Sequence, residues 1–356
     1  MIRYVKSIST ESFVEIVGTV VEPKEKVEGC TQKELELQIL TIHTISRSLP
    51  RLPFELDVAS QKVENQLLEM AGEYDDTQDV EEKKEAKACV KQKTRLDNRI
   101  IDLRITSNQA IFRLQAGVSH LFRDFLMKEG FMEIHSPKLI QGASETGATV
   151  FKLKYFDKSA CLAQSPQFFK QMAVCCDFER VFEVAPVFRA ENSNTKRHLC
   201  EFTSLDLEMA IKNHYYEALD VMDGLLNHVF TGLNERYGKE LAMLNEQYPF
   251  EPFKWVSPCP RLDFKEGCKL LKEEGYEQDP LDDLSTETER ALGAIVRKKY
   301  GTDFYMLVGY PMAARPFYTM PDPTDERYTL SYDFFMRGEE ITSGAQRVHI
   351  PELLEK

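Results

Sequence analysis

The sequence predicts an α+β fold: an antiparallel sheet with flanking helices, preceded by a short β-rich segment that forms part of a small barrel. Three observations carry this. Residues 12–45 alternate with period two, residues 107–130 and 215–244 carry apolar stripes at helical spacing, and residues 180–209 read as two long amphipathic strands around a polar loop. A chain of 356 residues has room for two domains. Residues 1–60 make the β-rich part, 61–104 a charged linker or hinge, and 105–356 the larger domain.

Taken in order, Phe13, Glu15, Val17 and Thr19 alternate with Val14, Ile16, Gly18 and Val20, and a second run goes through Leu35, Leu37 and Ile39. Both are expected as half-buried strands, too few to close a barrel. Residues 60–93 are polar and charge-dense, and an apolar rhythm resumes at Arg95–Arg104. A helix is expected from Ser107, as its cap, to the stop at Gly130, with Ile111, Leu114, Val118, Leu121, Phe122 and Phe125 on one face. Phe131–Ile134 reads as a strand closed by Pro137. A second helix is expected over Tyr215–Leu244, with Leu219, Met222, Leu226, Val229, Leu233 and Tyr237 on its stripe, and further strands over Phe304–Val308 and Ser331–Met336.

Composition restricts the class. Apolar residues make up 42% and charged residues 29%, ordinary for a soluble protein. No apolar run reaches the roughly 18 residues of a membrane span, and the start, Met-Ile-Arg-Tyr-Val-Lys, lacks the core of a signal peptide. Eight cysteines occur without a CxxC pair; Cys175 and Cys176 lie in an apolar stretch and are expected as buried free thiols in a reducing, cytoplasmic setting. The net charge of −13 runs against the basic character common in nucleic-acid binders but leaves room for a local basic surface.

The richest stretch is 180–209. With period two, Phe182, Val184, Pro186 and Phe188 share a face, as do Thr203, Leu205, Leu207 and Met209 on the return strand. The opposite face gathers Glu183, Arg189 and Glu191 with Phe202, Ser204, Asp206 and Glu208. Lys196, Arg197 and His198 occupy the connecting loop. An amphipathic hairpin with one solvated face fits this pattern. So does a ligand floor: an arginine fork suits phosphate and an aromatic ring stacks on a base.

Phe188-Arg189-Ala190-Glu191, the loop with Arg197 and His198, and Phe202…Asp206…Glu208 resemble motif 2 of class II aminoacyl-tRNA synthetases. The 107–137 helix and strand resemble motif 1, the dimer-forming element. Residues 144–151, 163–172 and 338–347 resemble the amino-acid pocket of the eukaryotic and archaeal cytosolic aspartyl-tRNA synthetases, and all five stretches run in family order. The resemblance implies a class II synthetase sheet preceded by a partial OB-type barrel. It implies aspartate–tRNA ligase activity with ATP as substrate and Mg²⁺ as the ion. The implied partners are L-aspartate, tRNA(Asp) and a homodimer mate through motif 1, and a multi-synthetase complex is compatible.

By the same resemblance, Arg189 is the catalytic cation, holding the α-phosphate of ATP and the aspartate carboxylate. Ala190, Glu191, Arg197, His198, Leu199 and Phe202 complete the ATP site, with Phe202 stacked on adenine. Asp333 and Glu340 carry Mg²⁺, with Glu340 also counted toward ATP; if Arg337–Gly338 forms a tight turn, the two carboxylates are diagonal neighbours. As spacing alone, that pair equally fits solvated strand charge. Glu145, Gln167, Phe168, Phe169, Lys170, Ser343 and Arg347 line the aspartate pocket, Ser144 and Asp206 being weaker candidates. Lys170 and Arg347 set specificity, because an uncharged asparagine leaves buried cations unpaired; alone, Lys170 also reads as a surface lysine.

The pattern departs from the family at both ends. Early barrel strands and the Gly-rich motif 3 have no counterpart, so the Arg347 strand is expected to lack a neighbour and the chain to activate aspartate poorly. An asparaginyl or lysyl synthetase, a non-catalytic partner that dimerises with a full-length synthetase, and an unrelated α+β binding protein are the alternatives.

Overall fold

In the computed structural model, residues 2–25, 27, 30, 32–61, 90–142, 150–192 and 199–355 are described. They divide into two compact units, Met1–Gln109 with Glu246–Pro249, and Ala110–Asn245 with Phe250–Lys356. Most of the charge-dense linker, 62–89, lies outside the described residues.

In the first unit β1 (Phe13–Val21) pairs antiparallel with β2 (Glu36–Ser46), with irregularities after Phe13 and Val17. The strands are where period two puts them, but they are not half-buried: Phe13, Val20 and Leu40 are each at least 60% exposed. Alternation assigns side chains to faces without saying what covers a face. The described residues form a two-stranded ribbon, with no closed barrel among them. The apolar rhythm after Arg95 folds into two short helices, Gln92–Asp97 and Arg99–Asp102. Buried Asp102 gathers Arg95 at 2.6 Å and Arg99. Ser107 is not a helix cap, since the helix already begins at Thr106; its hydroxyl donates to Gln247, whose amide donates to Ala59 O at 2.9 Å.

Among the described residues the second unit holds three sheets. β3 (Met132–Glu133) lies parallel to β7 (Arg180–Phe188), which pairs antiparallel with β8 (Glu201–Met209). β4 (Leu139–Ile140), β5 (Lys152–Tyr155) and β6 (Lys158–Leu162) make a small antiparallel sheet in the order β4-β6-β5. β9 (Arg261–Asp263), β10 (Phe304–Val308), β11 (Ser331–Met336) and β12 (Glu339–Ala345) make the third, in the order β12-β11-β10-β9. Helices α1 (Thr106–Lys128) and α3 (Tyr216–Arg236) contribute Leu121, Leu126, Leu219 and Val229 to a core shared with Phe182, Phe304, Met306 and Phe334. α2 (Gln167–Ala173) precedes the β7–β8 ribbon.

Every residue of β10 is buried. Its odd members, Tyr305 and Leu307, face a second cluster with Phe264, Leu271, Leu292 and Val296 from α5 (Phe264–Glu273) and α6 (Thr286–Tyr300). A strand apolar on both faces needs cover on both sides. Among the described residues no helix is long and apolar enough to cross a membrane.

Two expectations fail on tertiary grounds. The stripe over 215–244 is not one helix: α3 ends at Arg236, Tyr237 leaves helical geometry (φ −123, ψ 23), and α4 (Gly238–Gln247) follows. The Tyr237 ring packs on Gly117 of α1, where an added Cβ would sit 2.7 Å from it. Cys175 and Cys176 are exposed rather than buried, in a π-helical turn Val174–Phe178; among the described residues Cys161, Cys259 and Cys268 are the buried thiols.

The β11–β12 turn sets where β12 runs. Arg337 and Gly338 both have positive φ, 54 and 74, the pattern of a tight hairpin turn. The Arg337 guanidinium bonds Glu251 O at 2.6 Å, and its backbone N–H donates to Asp303 O at 2.8 Å. α6 lies so close that a Cβ on Gly293 would stand 2.5 Å from Gly338 N. Backbone cannot yield as a side-chain end can. Gly293→Ala is therefore expected to cost about 1–3 kcal/mol, the usual overpacking range, read as a lower urea midpoint at unchanged slope; an unchanged midpoint would refute the close approach.

Candidate functional site

The site is built on one face of the β7–β8 ribbon. The register pairs Val187 with Phe202, Ala185 with Ser204 and Glu183 with Asp206. Phe202, Ser204, Asp206 and Glu208 thus share a face, and Arg189, one residue past β7, returns to it, tied by its N–H to Cys200 O at 3.0 Å. Glu183 is committed to structure: its buried carboxylate accepts from Ser136 N, Ser136 Oγ and Lys138.

Lys170 and Arg347 converge on this face. Ser165-Pro166 opens α2, with Ser165 Oγ accepting from Gln167 N at 3.3 Å. Gln167 and Lys170 are one helical turn apart, so both turn inward and both are 4% exposed. Lys170 Nζ donates to Asp206 Oδ1 at 3.1 Å and lies 3.6 Å from Glu208 Oε2. Arg347 donates from Nε to Glu208 Oε1 at 3.2 Å and from Nη2 to Gln167 Oε1 at 2.9 Å. Gln167 Nε2 closes the ring on Glu208 Oε2 at 3.2 Å. One carboxylate, Glu208, therefore sits between the two cations.

Burial opposes charge on Asp206, but Lys170 and the Ser204 hydroxyl outweigh it and hold the carboxyl below its usual range. Burial likewise opposes charge on Arg347, and Glu208 more than restores it. The Arg347 backbone is not left without a neighbour. It bridges Thr319, Met320 N–H donates to Gln346 O, and Val348 N–H donates to Tyr318 O. The Tyr318 ring stands 5.2 Å from the guanidinium. The 318–320 segment lies far back along the chain in an irregular stretch, and no periodicity signals its pairing. Phe168 and Phe169, on the other sides of α2, are half-buried.

The nucleotide candidates are partly within reach of description. Arg189 lies 5.5 Å from the Phe202 ring centroid. Ala190 and Glu191 are half-buried where the strand becomes loop, and Leu199 is exposed. Ser144, Glu145, Arg197 and His198 fall outside the described residues.

The tight turn puts Glu340 on the face of Asp333, and a bulge adds Ser343. Asp333 pairs with Ser343 and Phe335 with Glu340, while Ile341 is the extra residue. Without it, Glu340 and Ser343 would fall on opposite faces; with it, both join Asp333. Buried Asp333 gives Oδ2 to Arg315 at 2.6 Å. Its Oδ1 is buried and takes no hydrogen bond of normal geometry, although the Tyr310 hydroxyl lies beside it. Desolvation raises Asp333 against the pull of Arg315. Glu340 as a residue is exposed, but protein around its carboxyl displaces water; that desolvation first, then Asp333, pushes it up to about 7. Two hard oxygen donors, one with a free buried lone pair, fit a divalent cation such as Mg²⁺. Sequence patterns single out neither Arg315 nor Tyr310; Arg315 lies in a loop before Pro316, where no motif points to it.

Comparison with known proteins gives the family. Residues 91–356 match the family model described as tRNA synthetases class II (D, K and N). The chain is 49% identical over 354 residues to the human cytoplasmic aspartate–tRNA ligase, covering 99% of this chain and 68% of that protein. It is 51% identical over 356 residues to aspartate–tRNA ligase 1, cytoplasmic, of Arabidopsis thaliana, covering 100% and 65%. The aspartyl-tRNA synthetase structure from Entamoeba histolytica superposes with a TM-score of 0.85 at 42% identity, over 99% of this chain and 68% of that one. The chain belongs to the class II tRNA synthetases, and within them to the aspartate–tRNA ligases.

Proposed function

We propose that the Lys170–Gln167–Glu208–Arg347 ring is the receptor for the substrate side chain, and that Arg189 is the cation at the reacting centre. The observation that carries this reading is the convergence of buried Lys170 and half-buried Arg347 on a single carboxylate. A ligand carboxylate entering there meets the charge and hydrogen-bond pattern already satisfied by Glu208. An amide of the same shape would receive donors from both cations but bring no charge to balance them.

Activation then needs no protein nucleophile. An oxygen of the aspartate α-carboxylate attacks the α-phosphorus of ATP, the bond to pyrophosphate breaks, and aspartyl-adenylate forms. Arg189 neutralises charge on carboxylate and phosphate together, and its planar fork fixes their mutual geometry. Phe202 beside it offers a face for adenine. Asp333 and Glu340 would hold Mg²⁺, which supplies charge neutralisation at the phosphates when bound. In the second step the 3′-hydroxyl of the terminal adenosine of tRNA(Asp) takes the aspartyl group and AMP leaves.

A homodimer through the motif 1 element is supported by exposed apolar side chains on α1 and the strand after it: Ile111, Phe112, Met127 and Met132 are each 41–59% exposed. A cytoplasmic setting is supported by the names of the relatives.

The specificity reading is tested by binding, independently of turnover. The non-hydrolysable aspartyl-sulfamoyl adenylate analogue is expected to raise the melting temperature, with the asparaginyl and lysyl analogues giving much smaller shifts. Equal shifts from the aspartyl and asparaginyl analogues would sink the assignment of the ring. Lys170→Met should weaken the aspartyl analogue by roughly 30-fold or more, the cost of losing one partner of a buried charge pair, as measured by calorimetry.

Asp206 gives a pH test. Its carboxyl is depressed in the folded chain, so it adds stability above the unfolded carboxylate value of about 3.9 and loses it as pH falls through the folded value. The stability gap between the natural chain and Asp206→Asn, from urea titrations, should be widest at neutral pH and narrow as pH drops below about 5. A gap independent of pH would show that Asp206 contributes through shape alone.

A further inference from the structure

Arg315 belongs to no part of the site assigned so far, yet it is the side chain most closely bound to Asp333. It follows a 3₁₀ turn, Met312–Ala314, and precedes Pro316 in extended backbone (φ −125, ψ 152). Its guanidinium stacks 3.8 Å from the Tyr310 ring centroid, and its side chain is 11% exposed against 6% for Asp333. Only Nη2 engages the carboxylate, at 2.6 Å, and its Nε is buried with no hydrogen bond. The fork is thus used one-handed: it claims Oδ2 and leaves Oδ1 of Asp333 buried without a hydrogen bond of normal geometry, with Tyr310 close to the carboxyl.

We propose that Arg315 is a resident counter-cation for the Asp333–Glu340 pair, holding Asp333 in place while keeping the pair a poor site for a free divalent ion until nucleotide phosphates enter with it. This rests on the reading that Asp333 and Glu340 hold Mg²⁺. With both carboxyls ionised, the two alone carry two negative charges and bind a divalent cation directly. With a guanidinium bonded to one of them, the local charge falls to minus one. A divalent ion then meets weaker net attraction, because the guanidinium repels it, and only one oxygen of Asp333 not bonded to Arg315. ATP changes the balance, since its phosphates add negative charge and further oxygen ligands. The consequence is ordered loading: ion and nucleotide bind the pair together, not the ion first.

The experiment is a Mn²⁺ titration of the whole 356-residue chain, followed by electron paramagnetic resonance, with and without ATP. The Asp333→Asn variant defines which binding belongs to the pair. The natural chain should take up little Mn²⁺ at this pair without ATP. Arg315→Met keeps an apolar stem against Tyr310 and removes the charge, and it should bind Mn²⁺ alone at least roughly tenfold more tightly. Arg315→Lys, which keeps the charge, should not. Damage to the fold weakens metal sites and does not tighten them, so a gain in affinity separates charge from structure. If Asp333→Asn removes Mn²⁺ binding with ATP but Arg315→Met leaves the ion-alone affinity unchanged or weaker, the counter-cation role is overturned and the metal reading stands. If Asp333→Asn changes Mn²⁺ binding in neither chain, with or without ATP, both are overturned.

Discussion

Two cations that close to one another cannot be buried unless something negative stands between them, and Glu208 is that group. Lys170 reaches it from the first turn of α2, Arg347 from beyond β12, and Gln167 bonds both Arg347 and Glu208. Removing water from an ammonium or a guanidinium costs several kcal/mol per ion unless geometry and hydrogen bonding restore it. The demand therefore reaches outward. α2 must present residues 167 and 170 on one side, β8 must carry 206 and 208 on one face, and the segment past β12 must bring 347 back to the ribbon. Three separately folded pieces are held to one registration by a single charge balance, and the ligand meets a preorganised pattern.

The second half of the site obeys a different constraint, backbone geometry. The β11–β12 turn needs positive φ at Arg337 and Gly338, while α6 needs Gly293 to come within contact of that turn. Asp303, fully withdrawn from solvent, ties Arg297, Arg337 and Lys254 N–H around it. The bulge at Ile341 then brings Ser343 to the side that Asp333 and Glu340 already share. Site carboxylates mounted on a pinned turn keep their spacing when the charge around them changes, which a flexible loop would not ensure.

Legibility in the sequence follows the same division. The charged face of the ribbon is readable because period two fixes sides once a strand is recognised, and β7 and β8 pair in the register that alternation requires. Strands 304–308 and 331–336 are equally visible as short apolar runs. The diagonal placement of Asp333 and Glu340 follows from the Arg337–Gly338 turn, but the bulge that adds Ser343 does not, because an extra residue leaves no compositional mark. The break at Tyr237 and the exposure of Cys175 depend on what packs against them, Gly117 in one case and a left-handed turn in the other. Glu208 lies on the face that alternation gives it, but its position between two cations depends on residues 139 positions apart, beyond any local pattern.

Arg315 shows why the least legible residue can still matter to the chemistry. A motif is recognised by what touches substrate, whereas the charge of a site is set by everything within several ångströms of it. Asp333 and Glu340 form a pair that two hard-oxygen ligands make natural, and desolvation already pushes Glu340 up to about 7. Yet the nearest charge to Asp333 is positive and belongs to an irregular loop. The pair is therefore half-neutralised by the chain itself. The same arrangement recurs in the proposed aspartate pocket, where Asp206 and Glu208 face the two cations. At both places the chain carries an internal group of the opposite sign to the binding residues, which keeps buried charge tolerable in the empty site and lowers the affinity for any ligand that brings only part of what is required. Selectivity by charge then comes from competition with a resident group as much as from attraction to the ligand.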